Sequence, residues 1–159
     1  FAACRVPGPW DEALSEVAGE TVRLVEPQRS GVDRGRSGAA TLLGEASLGA
    51  LANVLQVSAV DGRRFRMNFG LTGTAAHEED SWIGRRLQVG DAVVVPIGNV
   101  GRCVITKQNP DTGETDLDTL NGLADYRSDI ETTEPLPFGV HAAVAQAGRV
   151  RVGDAIYPL

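Results

Sequence analysis

Two short segments of nearly the same sequence constrain the fold most strongly. GRRLQVGDAVVV begins at Gly84, and GRVRVGDAIYP begins at Gly148. Each has a turn, a basic and apolar strand start, and then Val-Gly-Asp-Ala leading into an apolar strand. Val-Gly-Asp favours a tight bend in which the aspartate bonds its own backbone. Two such corners favour a closed or nearly closed β-barrel, whose strands must bend sharply; coincidence is the alternative for so short a repeat.

Three segments have the pattern of short helices. From Trp10 to Val17 the apolar residues fall on one helical face, and Gly19 suits the end of the helix. In ATLLGEASLGALANVL, a strand-like opening precedes a helix capped near Glu45 to Ser47. In DLDTLNGLADYR, an aspartate caps a helix whose leucines face inward.

The other segments have the pattern of strands and loops. In RRFRMNFGL, alternation places Phe65, Met67 and Phe69 on one face and Arg66 and Asn68 on the other. DAVVVPIG and RCVITK are predicted to be consecutive barrel strands. FGVHAAVAQ and DAIYPL are predicted to be the last strands, and RSGVDRGRSG a surface loop. The sequence therefore predicts a mainly β fold with a few short helices.

Composition excludes several classes of protein. The 159 residues are 42% hydrophobic and 23% charged, as in one globular domain. No apolar run approaches the roughly 18 residues of a membrane-spanning helix. The formal charge of −6 argues against a nucleic-acid partner. Two cysteines without a CxxC motif form no disulfide framework, so we expect a cytoplasmic protein. Because no apolar run is long enough to span a membrane, we expect no membrane partner either.

The scarcity of lysine bears on cofactor use. Lys107 is the only lysine among the 15 basic residues. A pyridoxal-phosphate enzyme needs a lysine for its Schiff base. We therefore do not expect this chain to bind pyridoxal phosphate.

Cys103 is the first candidate for chemistry, and two interpretations stay open. Inside a predicted strand, a cysteine is more often a small buried hydrophobe. The alternative is a thiol activated by the charge of Arg102, which requires a bend at Gly101 because neighbours in a strand point to opposite faces. A thiolate suits a thiophilic metal.

Two further groups of polar residues also allow a structural and a functional interpretation. Arg66 and Asn68 form either a solvated strand face or an anion cradle in a cleft. The acidic loop HEEDSW is either a solvated turn anchored by Trp82 or a group with at least one carboxylate turned inward or paired with an arginine. His141 is more often a satisfied strand histidine than a ligand.

The order of the motifs resembles that of the MOSC domain family, which is named after the C-terminal part of molybdenum cofactor sulfurase. The motifs are LLGEASLGAL, RRFRMNFGL, HEEDSWIGRRLQVGDAV, GRCVITKQNPDTGETD, LADYR, LPFGV and GRVRVGDAI. The resemblance runs from about Trp10 to Leu159. It implies a MOSC-type β-barrel related to the pyruvate kinase barrel domain. We expect residues 1–159 to form a single MOSC domain, truncated at its N-terminus.

The resemblance also implies a site for molybdenum cofactor (molybdopterin). In the amidoxime-reducing branch of the family, the cysteine of Arg-Cys ligates molybdenum, and the arginine of Phe-Arg-Pro-Asn contacts the pterin cofactor. Their matches here are Cys103 and Arg66, with Met67 in place of the proline. The other positions implied to line the site are Gly101, Arg102, Ser37 and His141. His141 stands where that branch has a tyrosine, and its Lys-Ser pair and N-terminal arginine have no match before Trp10.

Three functions follow from the resemblance as alternatives. The first is cofactor binding or sulfur carriage, with Cys103 as metal ligand or as a persulfide site loaded by a cysteine desulfurase. The second is a molybdenum-dependent reductase of N-hydroxylated compounds, which needs an electron-transfer partner because the sequence has no flavin, haem or iron–sulfur motif. The third is a non-catalytic interaction barrel.

Overall fold

The computed structural model describes residues 2–28, 35–132 and 134–159, and the chain divides into two compact units. The first unit, Phe1–Arg36, pairs strand β1 (Ala3–Arg5) with strand β2 (Val25–Pro27) in antiparallel register. Helix α1 (Trp10–Ala18) lies between them in sequence. It ends at Gly19, whose left-handed conformation lets its N–H donate to the Ser15 carbonyl. The predicted helix and its glycine stop are confirmed.

The second unit, Ser37–Leu159, is built on a curled six-stranded sheet. Its strands are β3 (Ala40–Gly44), β4 (Phe69–Leu71), β5 (Leu87–Val89), β6 (Ala92–Asn99), β7 (Val140–Gln146) and β8 (Ile156–Pro158). Their spatial order is β4-β3-β7-β6-β5-β8. Strands β3 and β4 are parallel, and the other neighbours are antiparallel. Because β4 and β8 are the two edges of this order and do not pair with each other, the curled sheet is an open half-barrel. The prediction of a mainly β fold is confirmed.

Two helices and two apolar clusters complete the second unit. Helix α2 (Glu45–Leu55) follows β3 directly, and helix α3 (Thr119–Arg127) packs against α2. Within β3, Leu42 belongs to one cluster, with Val140 and Leu87, because it points to one face of the sheet. Leu43 belongs to the other cluster, which the helices cover. No helix in the described ranges is long and apolar enough to cross a membrane.

The two Val-Gly-Asp corners are turns that pack against each other. Gly90 and Gly153 have φ values of 54° and 93°, a left-handed region that glycine adopts without strain. The Asp154 carboxylate accepts a hydrogen bond from the Arg151 N–H at 2.8 Å, as the motif predicts. A Cβ atom on Gly90 would collide with that carboxylate. The first corner therefore requires glycine because the second corner lies against it.

Two of the predicted strands are wrong. In RRFRMNFGL, residues Gly62–Phe65 form a 3₁₀ helix, and only Phe69–Leu71 is a strand. Asp61 starts this 3₁₀ helix, because its carboxylate accepts from the Arg63 N–H at 2.8 Å.

RCVITK is not a strand either, since Val104–Lys107 forms another 3₁₀ helix. Within it, the Thr106 N–H and hydroxyl both donate to the Cys103 carbonyl, at 3.2 and 3.1 Å. In both segments a local side-chain hydrogen bond accompanies the 3₁₀ helix.

Candidate functional site

Cys103 presents its thiol at the surface. It is exposed, and it immediately precedes the 3₁₀ helix Val104–Lys107. Its backbone is anchored, because the Thr106 hydroxyl contacts both the Cys103 carbonyl at 3.1 Å and the Thr119 hydroxyl of α3 at 2.8 Å. The interpretation of Cys103 as a buried strand residue is therefore wrong. The apolar side chains of Val104 and Ile105 are exposed beside it.

Arg102 points into the protein, although its neighbour faces solvent. Only 8% of its surface is exposed. Its Nε donates to the Phe138 carbonyl at 3.0 Å and its Nη1 to the Phe65 carbonyl at 3.0 Å, and Nη2 also contacts the Phe138 carbonyl. Nη2 lies 3.1 Å from the Met67 sulfur, and the guanidinium lies 5.2 Å from the centre of the Phe65 ring. The planar fork thus joins three separate positions of the chain, through two backbone carbonyls and one side-chain sulfur.

Arg66 lies between two of those positions in an unusual conformation. Its φ and ψ are 54° and 39°, the left-handed region, which costs a non-glycine residue roughly 1–2 kcal/mol. Its N–H donates to the Arg63 carbonyl at 3.1 Å. The side chain is exposed, and it makes no hydrogen bond or ion pair within the described part of the chain. Arg66 therefore offers a guanidinium to a ligand.

Arg66 borders two surface clefts. One, of about 490 Å³, lies between α2 and the loop that precedes β4. It is lined by Leu43, Glu45, Leu48, Asp61, Met67 and Gly70, among others. The second, of about 350 Å³, contains Ile105, two residues from Cys103, and Pro110 of the Asn-Pro-Asp-Thr-Gly turn. The Arg66 side chain is thus shared by the two clefts.

Ion pairs attach the Asn-Pro-Asp-Thr-Gly turn to the same segment. Arg63 contacts Asp61 at 2.6 Å and Asp111 at 2.8 Å, and the hydrogen bonds from Arg63 lower the pKa of both carboxyls. Arg64 is buried and contacts Asp116 at 2.7 Å. Of the three neighbouring arginines, Arg66 alone has its charge uncommitted among the described residues.

The remaining predicted site residues have other neighbours. Asn68 exchanges two hydrogen bonds with Thr41, each 2.9 Å long. Thr41 is paired across β3 and β7 with His141, which is buried in β7. A Cβ atom on Gly98 would lie 3.2 Å from His141 Nε2, so the histidine ring packs over β6. The structure therefore brings Asn68 and His141 near each other through Thr41.

Gly101 and Ser37 complete the predicted set. A Cβ atom on Gly101 would lie 2.8 Å from Glu134 Oε2 and 3.0 Å from the Pro135 carbonyl, so the position has no room for a side chain. The Arg102 N–H donates to that same carbonyl at 3.0 Å. The side chain of Ser37 lies outside the described residues.

The acidic loop contains a polar pocket that the sequence only partly predicted. Glu79 is fully buried, as expected for at least one of its carboxylates. Its Oε1 accepts from the Ser47 hydroxyl at 2.8 Å and from the Gly44 N–H at 3.3 Å, at the start of α2. Burial raises the pKa of Glu79. Asp80 pairs instead with buried Arg127 at 2.6 Å, which confirms the expected arginine pairing.

Several buried polar atoms around Glu79 lack partners among the described residues. They are Glu79 Oε2, Thr74 Oγ1, Tyr126 Oη and both ring nitrogens of His77. Burial lowers the pKa of His77 and raises that of Tyr126 to about 12, so both are neutral near pH 7. The pocket thus concentrates uncharged donors and acceptors around one carboxyl group.

A sequence model of the MOSC domain matches residues 30–157. The chain belongs to the MOSC domain family. It is 35% identical over 125 residues to the mitochondrial amidoxime reducing component 2 of Bos taurus, a match covering 74% of this chain and 36% of that protein. It is 29% identical over 110 residues to the molybdenum cofactor sulfurase of Oryza sativa subsp. japonica, covering 62% of this chain and 13% of that protein. The chain thus spans about a third of the length of the first relative.

A solved structure has a similar fold. The YiiM protein of Geobacillus stearothermophilus superposes with a TM-score of 0.57 at 16% identity, over 87% of this chain and 63% of that one. At this identity the likeness supports the fold alone.

Within this MOSC domain, the sequence missed the roles of Phe65, Met67 and Phe138 as partners of Arg102, since all three have the pattern of core residues.

Proposed function

We propose that this MOSC domain binds molybdenum cofactor, with Cys103 as the protein ligand of the metal. The observation that carries the proposal is the exposed Cys103 thiol, which lies next to a buried arginine that holds the loop of Arg66. The two side chains that the cofactor needs are thus presented by segments in direct contact. The similarity to a molybdenum cofactor sulfurase supports the proposal.

The residues present fit the chemistry of this cofactor. Its terminal phosphate suits the uncommitted guanidinium of Arg66, because an arginine fork binds phosphate with charge-assisted hydrogen bonds. Its metal suits a soft thiolate. The described residues contain no group of three His, Cys, Asp or Glu side chains that could hold a metal ion. A single cysteine therefore fits a metal that arrives bound to an organic ligand.

The chain's own residues would bind and orient this ligand. When bound, the cofactor supplies a redox-active metal centre. Cys103 would fix one end of it, and metal binding would keep the thiol deprotonated. Arg66 would hold the phosphate end. Val104 and Ile105, exposed beside the thiol, would cover apolar parts of the ligand and exclude water.

Metal and pterin analysis tests the ligand role. The complete natural chain is purified as wild type, Cys103→Ser and Cys4→Ser, and molybdenum and pterin are measured per protein. Cys4 is the other free cysteine and makes the same substitution a matched control. We expect wild type and Cys4→Ser to retain molybdenum. The molybdenum content of Cys103→Ser should be at least tenfold lower. Equal molybdenum in Cys103→Ser and wild type would eliminate Cys103 as the ligand.

A reductase of N-hydroxylated compounds is the second candidate, favoured by the 35% identity to an amidoxime reducing component. Because the sequence has no flavin, haem or iron–sulfur motif, such an enzyme requires a separate electron-transfer partner. The test is turnover of benzamidoxime by the molybdenum-loaded protein with an artificial electron donor. No turnover with fully loaded protein would exclude this activity.

Sulfur carriage is the third candidate, since one relative is a molybdenum cofactor sulfurase. The Cys103 thiolate would take the terminal sulfur of a cysteine desulfurase persulfide, and the desulfurase cysteine would leave as a thiolate. Mass spectrometry after incubation with a desulfurase would then find about 32 Da, the mass of one sulfur atom, added at Cys103. Protein with neither persulfide nor cofactor would leave the non-catalytic barrel as the remaining function.

Location and partners follow from the same chemistry. We propose a cytoplasmic protein, since both cysteines are free thiols and a reducing compartment preserves them. Its partners would be the small-molecule cofactor and one of the two proteins named above, with no role for nucleic acid or membrane. Fractionation of cells expressing the tagged natural chain tests this location; recovery with membranes or in an oxidising compartment would contradict it.

A further inference from the structure

We propose that Arg102 is a positioning residue, which holds Arg66 in its left-handed conformation and so fixes the Arg66 guanidinium relative to the Cys103 thiol. This inference rests on the proposed function in that Arg66 and Cys103 are taken to bind one ligand. It assigns Arg102 no contact with that ligand, in contrast to the cofactor-lining role implied by the family resemblance.

The first observation is the strain at Arg66. A non-glycine residue at φ 54° persists only where its surroundings determine the conformation, and such residues cluster at functional sites. One local hydrogen bond, from the Arg66 N–H to the Arg63 carbonyl, closes the turn. The exposed Arg66 side chain contributes none within the described residues. Most of the restraint must therefore come from the residues on either side of Arg66.

The second observation is that Arg102 contacts both residues that flank Arg66. Its Nη1 donates to the Phe65 carbonyl at 3.0 Å, and its Nη2 lies 3.1 Å from the Met67 sulfur. The guanidinium is itself held by the Phe138 carbonyl, so the fork has a fixed support behind it. The residues immediately before and after Arg66 are thus tied to one rigid plane.

The third observation is that Arg102 and Cys103 are consecutive. The Arg102 N–H donates to the Pro135 carbonyl at 3.0 Å, and the Cys103 carbonyl accepts from Thr106, so the backbone is fixed on both sides of the thiol. Binding sites need their groups held within about 0.5 Å of the productive geometry. Arg102 thus precedes Cys103 directly and contacts both neighbours of Arg66, so it connects the segments of the two candidate ligand-binding residues.

This role requires an arginine. A lysine keeps the charge, but its three donors radiate from one atom and cannot span two carbonyls and a sulfur atom. A methionine fills a similar volume without any donor. Arg102→Lys therefore separates the geometry of the fork from its charge. Arg127→Lys is the matched control, because Arg127 is also buried and donates to the Pro137 carbonyl, next to Phe138.

The cofactor-free protein gives a test that is independent of the proposed function. We expect the Arg66 amide to exchange with solvent at least tenfold faster in Arg102→Lys than in wild type. Met67 is the only methionine in the sequence, so methyl-¹³C methionine labelling gives one signal, from the residue that contacts Arg102 Nη2. That signal should shift or split in Arg102→Lys and stay unchanged in Arg127→Lys. Wild-type exchange and an unmoved methyl signal in Arg102→Lys would overturn the inference.

Cofactor retention then tests the link between the two residues. We expect Arg102→Lys to lower molybdenum retention at least fivefold, while Arg127→Lys, at matched folded fraction, retains the wild-type amount. Arg66→Gly adopts the left-handed conformation without strain but lacks the guanidinium. In that background Arg102→Lys should cause no further loss. A full additional loss would show that Arg102 acts separately from Arg66 and overturn the inference. Wild type without molybdenum would instead contradict the proposed function, and the amide exchange would still decide the role of Arg102.

Discussion

Arg63 and Arg102 hold the same segment of chain in two different ways. The Arg63 side chain is 60% exposed and pairs with the carboxylates of Asp61 and Asp111. Arg102 is only 8% exposed and donates to the carbonyls of Phe65 and Phe138. Exposed ion pairs contribute little, since water screens them and two long side chains lose entropy. Buried carbonyls lose their hydrogen bonds with no compensation when the donor is removed. We therefore expect the inner arginine to determine the shape of the segment and the outer one to adjust it.

The largest expected effect is that of Arg102→Met. It leaves the buried carbonyls of Phe65 and Phe138 without their donor, so the free energy of unfolding should fall by about 3 kcal/mol. Denaturant unfolding followed by circular dichroism measures this. A loss below about 1 kcal/mol, the size expected for an exposed pair, would remove the contrast between the two arginines.

Glu79→Ala extends the comparison to a buried acid. It deprives the Ser47 hydroxyl and the Gly44 N–H of their acceptor, so we expect a loss of about 2 kcal/mol. The pH dependence has a definite sign. Burial raises the pKa of Glu79 in the folded state, so the folded protein binds the proton more tightly than the unfolded chain. Stability should therefore fall as the pH rises from the unfolded pKa through the raised folded one.

Glu79→Gln keeps the acceptor oxygen and removes the titration. We expect its stability to fall less than that of wild type over the same rise in pH, measured by denaturant unfolding at several pH values. Glu78→Gln is the control, because Glu78 is exposed on the same loop. Parallel pH profiles for wild type and Glu79→Gln would show that the buried carboxyl is not the source of the effect.

Gly101→Ala tests how tightly the segment before Cys103 is packed. The added methyl group would lie 3.0 Å from the Pro135 carbonyl, and backbone has to move to relieve that contact. We expect a loss of about 1–2 kcal/mol, typical of overpacking, together with faster alkylation of the displaced Cys103 thiol. Thermal unfolding and the rate of iodoacetamide labelling measure the two effects. Wild-type values of both would mean that this backbone yields freely.

The smallest effect is expected for Arg63→Met. Loss of both exposed pairs should lower the free energy of unfolding only slightly, and by less than any of the changes above, because water screens these charges. The difference from wild type should shrink further in 0.5 M salt, because these charges are screened. Unfolding at two salt concentrations measures it. A loss as large as that of Arg102→Met would contradict the assignment of the outer arginine to a minor role.

The sequence predicted the parts of the fold that local periodicity determines. The strand and helix of ATLLGEASLGALANVL became β3 and α2, and the helix of DLDTLNGLADYR became α3. Its cap was only partly right, because the Asp118 carboxylate contacts Lys107 and Asn121 instead of the backbone. The prediction that the acidic loop turns a carboxylate inward or pairs one with an arginine is confirmed. It could be made because three adjacent carboxylates repel one another when all are exposed on one face.

The sequence failed where contacts distant in the chain decide the conformation. Alternation in RRFRMNFGL predicted a strand, but the fork of Arg102, 36 residues after Arg66, holds a turn there. Met67 looked like a core residue, although its sulfur is an acceptor for that fork. The family resemblance predicted Cys103 as the site residue, but its exposure could not be predicted, because it depends on the 3₁₀ helix that Thr106 stabilises.

The most direct test of Cys103 as the metal ligand is to identify the atom that it places next to the metal. The chain has two cysteines, so in the Cys4→Ser background selenocysteine incorporation labels position 103 alone. Molybdenum-edge X-ray absorption of the cofactor-loaded natural chain then reports whether selenium is a neighbour of the metal. We expect a selenium scatterer in the first coordination shell. A loaded protein whose molybdenum has no selenium neighbour would contradict it.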